Sequence, residues 1–153
     1  MHKSVLVVML LGGLAVSTQA RAHCQVPCGI YDDHARIHAM AEDVKTISKA
    51  ISKLQALAGK TDAQSVNQQI RWTNAKDTHA SAIITVVAEY FLTQKIKQAK
   101  ASDKRAFKVY VARLVACHAV MRAAMKTKQT VDRAAADGLA KAVDALGALY
   151  PGK

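Results

Sequence analysis

From residue 37 onward, apolar residues return every three or four positions. Ile37, Met40, Val44, Ile47, Ile51, Leu54 and Ala58 form one such seam, while Lys45, Lys49 and Lys53 fall on another face. This spacing predicts a long amphipathic helix. Asp32 or Asp33 is placed to cap its start and Gly59 to end it. A second helix is expected from Thr61 or Asp62 to about Lys97, with Val66, Ile70, Ala80, Ile83, Ile84, Val87 and Phe91 inward. Its middle, "RWTNAKDTHA", is polar for a core helix: either the helix leaves the core there or it faces something polar. A third helix is expected from a cap at Ser102, with Phe107, Val111, Leu114, Cys117 or His118, Met121 and Met125 inward. A fourth is expected from about Thr130, with Val131, Ala135, Leu139, Val143, Leu146 and Leu149 inward. The connections "AGKTD", "KQAKASDK" and "KTKQT" are short and polar. Together these elements predict an all-α fold, an up-down-up-down four-helix bundle over residues 32–153.

Composition agrees with this pattern. The chain is 51% hydrophobic but only 5% aromatic, and alanine is abundant, which favours close-packed helices over a sheet. The two prolines, Pro27 and Pro151, flank the helical region and break none of it.

The first 22 residues follow a different logic. Lys3 precedes the apolar run "VLVVMLLGGLAV", and "STQARA" ends in Ala20-Arg21-Ala22, an A-x-A pattern. The layout predicts a secretory signal peptide over residues 1–22, removed by signal peptidase after Ala22. The run is short for a membrane span, so no stable membrane insertion is expected after cleavage. The mature chain would begin at His23, keep 131 of the 153 residues, and be exported, periplasmic or secreted.

The formal charge of +11 becomes +9 once Lys3 and Arg21 are removed. An exported chain with few aromatic side chains is a poor binder of nucleic acid, so none is expected as a partner. The positive field suits small anions instead. The run Lys95, Lys97, Lys100, Lys104, Arg105 and Lys108 sits at the second connection and reads as a solvated turn.

The chemistry gathers in "HCQVPCGIYDD". Cleavage before His23 frees an α-amine, which a metal binds near neutral pH. Cys24 offers a thiolate and a backbone amide, and Cys28 a second thiolate. Amine, amide and two thiolates make a planar N2S2 set, the kind that selects nickel or copper(II) over tetrahedral zinc. The His23 imidazole is placed to approach axially. Pro27 and Gly29 suit a tight hook over residues 23–31, and Tyr31 is placed to cover its open face. Cys117, in "LVACHAVM", reads as a buried structural thiol. A thiol–disulfide function is disfavoured, because Cys24 and Cys28 are spaced C-x3-C and no βαβ pattern surrounds them.

"HCQVPCGIYD" resembles the hook of the nickel superoxide dismutase family, H-C-x-x-P-C-G-x-Y, and the likeness continues more loosely through "ARIHAMAEDVKTI" and "EYFLTQ". The resemblance implies dismutation of superoxide to oxygen and hydrogen peroxide, with one nickel ion per subunit cycling between Ni(II) and Ni(III). It implies His23, Cys24 and Cys28 as ligands, and Tyr31 and Tyr90 beside the reacting site. It also implies a homohexamer of four-helix bundles. The alternative is an exported nickel or copper carrier that uses the same hook without turnover. Three positions depart from the family pattern: Gln25, where an acidic residue is common, and two histidines. His38 stands where a carboxylate holds the axial imidazole, and His79 where its arginine partner is expected. A His38–His79 pair orienting His23 is the expectation. His34 and His38 also share the i, i+4 spacing of metal ligands, but that spacing arises easily in helices, and no third ligand in the sequence completes a site.

Overall fold

The computed structural model describes residues 32–151. These residues form four helices: α1 (Asp33–Ala56), α2 (Ala63–Thr85, continued by a π-helical stretch Val86–Lys95), α3 (Lys104–Lys128) and α4 (Arg133–Gly147). Among the described residues there is no strand. Each helix packs on its two neighbours, α1 on α2 and α4, and α3 on α2 and α4. This is the expected up-down-up-down bundle. The expected signal peptide and the expected hook, residues 1–31, lie outside the described residues.

An aspartate starts every helix. Asp32, Asp62, Asp103 and Asp132 accept hydrogen bonds from the amides of His34, Ser65, Ala106 and Ala134, at 2.8–3.0 Å. Each satisfies a donor that the helix's first turn leaves open, and its charge complements the helix dipole. The cap expected at Ser102 is thereby corrected to Asp103, and the fourth helix, expected to begin near Thr130, is capped by Asp132. Gly59 closes the turn after α1 at φ +77°, the left-handed conformation that favours glycine.

The core follows the α1 seam closely: Ile37, Met40, Val44, Ile47 and Ile51 are buried against Ile83, Val87, Phe91, Val120, Leu139, Val143 and Leu146. The other faces need correction. Val66, Ile70, Val111, Met125 and Val131 were expected inward and are exposed. α3 instead buries Cys117, Val120, Ala124 and Thr127, and α4 buries Ala136 rather than Ala135. An alanine-rich helix carries apolar residues on more than one face, so spacing alone does not choose between neighbouring seams. Packing chooses the one whose small side chains allow close approach.

The polar middle of α2 stays in the bundle and faces polar groups. Lys76 is buried, and its Nζ donates to the carbonyls of Thr127 (2.7 Å) and Lys128 (3.1 Å) and to Asp77 Oδ1 (2.7 Å). A lysine of one helix thus closes the open carbonyl end of another, where positive charge also meets the favourable end of the dipole.

Candidate metal centre

The site is approached from the start of α1, because the hook ends one residue before its cap. Asp32 is committed to capping. Asp33, the next residue, turns its carboxylate to the end of α2: Oδ1 accepts the Tyr90 hydroxyl at 2.5 Å and Oδ2 meets Lys95 Nζ at 2.5 Å. One carboxylate reaches both residues because of the π-helical stretch. In an α-helix, positions five apart diverge by about 140°, whereas the wider π turn brings them back toward one side. Bonds from Ile96 N to Phe91 O and from Thr93 Oγ1 to Ala88 O, both 2.8 Å and both spanning five residues, mark that geometry. The expectation of one uninterrupted α-helix to Lys97 is corrected accordingly.

Tyr90 is 9% exposed. The Arg36 guanidinium lies over its ring, 5.5 Å from the centroid, and Phe91 meets it edge-on at 5.1 Å. Phe91 in turn packs on Tyr150 at 5.0 Å, and Arg113 covers Tyr150 at 4.8 Å. Burial, then the hydrogen bond and negative charge of Asp33, hold the Tyr90 phenol well above its ordinary value. The group is therefore neutral near pH 7. Its hydroxyl donates to Asp33, and its oxygen carries no charge that would repel an anion.

The two histidines assigned to the hook's support do not bond each other. His38 is exposed and bonds His34, Nε2 to Nε2, at 2.9 Å. His79 Nδ1 bonds Asp43 Oδ1 at 2.6 Å. The helix register explains the separation. Asp33 faces Tyr90 and Asp43 faces His79, so His38 lies level with Ile84 and Thr85, five or six residues and roughly 8 Å along the axis from His79. Asp33, Lys95 and Arg36 were not singled out from sequence as site residues. The available signal was the doubled aspartate in "YDDH", since a cap needs only one.

His23, Cys24, Cys28 and Tyr31 lie outside the described residues. Among the described residues, no three His, Cys, Asp or Glu side chains come together to hold a metal. Cys117 is fully buried, and burial pushes its thiol up to about 11, so it keeps its proton at neutral pH and offers no thiolate. The two further cysteines of the chain are Cys24 and Cys28.

Compared with protein families, the chain matches nickel-containing superoxide dismutase over residues 18–153. The chain belongs to this family. No curated protein and no solved structure matches it. As a nickel-containing superoxide dismutase it is an oxidoreductase, with superoxide as substrate and nickel as cofactor. The carrier alternative is not favoured by that membership. The donor chemistry suits the metal: anionic sulfur and nitrogen ligands in a tetragonal set are those that hold nickel and stabilise its higher oxidation state. Among the described residues no helix is long and apolar enough to cross a membrane.

Proposed function

We propose that nickel would be held by the hook at the start of the mature chain, through the His23 amine and imidazole, the Cys24 amide and thiolate, and the Cys28 thiolate. Bound there, it would supply the one-electron Ni(II)/Ni(III) couple that dismutation needs. The observation that carries this reading is the family match over residues 18–153, which takes in "HCQVPCGIY" and the bundle together.

The protein side of the reaction falls to the residues around the start of α1. From Cys28 to the Asp32 cap is four residues, a reach of at most about 14 Å, so the hook is tethered near Tyr90. In this reading Tyr31, the last residue of the hook, would exclude larger ligands from the metal. Tyr90, kept neutral, stands beside the path of the anion, and Arg36 and Lys95 add positive charge there. The support first assigned to a His38–His79 pair passes in this reading to Asp33, which anchors Tyr90 next to the hook.

Signal peptidase cleavage after Ala22 is part of this reading, because it creates the amine ligand, and it places the enzyme in the periplasm or outside the cell. Assembly into a homohexamer belongs to this reading, and Val66, Ile70, Val111, Val115 and Met125, exposed on the single chain, would be available to contacts between subunits.

The test is to produce the mature chain with and without one extra residue before His23, load both with nickel, and follow superoxide decay by stopped flow. The extended chain is expected to lose activity and the thiolate-to-nickel absorption. Undiminished turnover in the extended chain would sink the amine-ligand mechanism.

A further inference from the structure

Outside the hook, one pair of metal-binding side chains has its donor atoms aimed at each other. His34 and His38 are one turn apart on α1, both exposed, with rings 75° to one another and Nε2 atoms 2.9 Å apart. Without metal, this is a hydrogen bond in which one ring nitrogen donates and the other accepts, the tautomers setting which. The same spacing is also a chelating bite. A cation about 2.1 Å from both nitrogens would subtend an angle of about 87°. That matches two adjacent corners of a square-planar or octahedral ion. A tetrahedral ion needs its two nitrogens about 3.4 Å apart.

We propose that His34 and His38 form a second, exchangeable site for a divalent 3d ion of tetragonal preference, Ni(II) or Cu(II), at the base of the hook. Two imidazole nitrogens are the protein ligands and water completes the coordination. Binding needs the Nε2 lone pair of both rings. The ring that donates through Nε2 shifts its proton to Nδ1 by way of solvent, and no net proton is released. His79 offers no such partner, since Asp43 holds it. Asp33 is occupied by Tyr90 and Lys95, and Asp32 by the His34 amide. The site is therefore two-coordinate from protein, weaker than the hook by construction, and fitted to take up and release metal. Its use is to stage nickel beside the hook during loading; that use, unlike the site itself, rests on the hook reading.

The binding test silences the hook. In the full mature chain carrying His23→Gln, Cys24→Ser and Cys28→Ser, NiCl2 and CuCl2 are titrated calorimetrically while the histidine ring signals are followed by NMR. One equivalent is expected to bind, broadening His34 and His38 before His79 and His118. Adding His34→Gln or His38→Gln should weaken binding by about tenfold or more, and copper should bind more tightly than zinc. Both substitutions are at exposed positions, and circular dichroism checks the fold. Absence of binding, earlier broadening of His79 or His118, or unchanged affinity in the glutamine variants overturns the site. The staging test keeps the hook intact and adds limiting NiCl2. His38→Gln is expected to slow the rise of thiolate-to-nickel absorption without lowering its endpoint, and an equal rate overturns the staging role. If no absorption appears in either chain, the hook reading fails, while the binding test still reads the histidine site.

Discussion

Replacing Tyr90 by phenylalanine removes one hydroxyl and keeps the ring that packs on Phe91. In the structure that hydroxyl donates to Asp33 Oδ1 at 2.5 Å, from a side chain only 9% exposed. Hydrogen bonds to a charged acceptor contribute about 1.5–3 kcal/mol. Asp33 keeps Lys95 on its other oxygen, and its side chain is 22% exposed, so water replaces part of what is lost. The expected loss at pH 7 is therefore in the lower part of that range, about 1.5–2 kcal/mol. For a domain of this size that corresponds to a fall in Tm of roughly 6–8 °C. The pH dependence separates this cause from a simple packing defect. Above pH 10 the unfolded chain gives up the phenolic proton, while folded Tyr90, whose value is raised, keeps it. The unfolded state then binds fewer protons, so wild-type stability falls as pH rises, by about 1.4 kcal/mol per pH unit for that group. Phenylalanine has no such slope. Urea titrations of both chains at pH 7, 10 and 11 should show the gap between them at full size at pH 7, smaller by about 0.4 kcal/mol at pH 10 and mostly closed near pH 11. A gap below about 0.5 kcal/mol at pH 7, or one that is constant with pH, would refute the reasoning.

Other outcomes follow from the same structure. Lys76→Met keeps the aliphatic stem but strips the buried Thr127 carbonyl of its donor, and should cost about 2–3 kcal/mol in urea unfolding; an effect within error would mean that water enters the bundle to replace the ammonium. Cys117, fully buried with its thiol pushed up to about 11, should react with iodoacetamide in the folded chain only as fast as the chain unfolds; rapid labelling of folded protein would contradict its burial. The charge of +11 on the chain should make turnover fall as ionic strength rises, and a flat response would assign that charge another purpose.

The proposed ligand types and their order are local properties of "HCQVPCGIY", so that proposal draws on no tertiary contact. The helices were legible too, because the α1 seam and the aspartates ahead of α1 and α2 are local signals. What the sequence left open depends on atoms far apart in the chain. Alanine on several faces of α3 and α4 leaves neighbouring seams equally apolar, and only packing density in the assembled bundle exposes Val111, Met125 and Val131. The polar centre of α2 gave no reason for itself until Lys76 met the end of α3, 51 residues away. The His38–His79 pair fails for the same kind of reason. Which residues face each other across α1 and α2 is set by the register of two whole helices, and that register puts Asp43 on His79 and Asp33 on Tyr90. By itself the sequence determined that helices would form and which residue types stand in "HCQVPCGIY". Only the tertiary structure decided which side chains gather at the start of α1, because a side chain's neighbours are chosen by the packing of the whole bundle and not by the residues next to it in the chain.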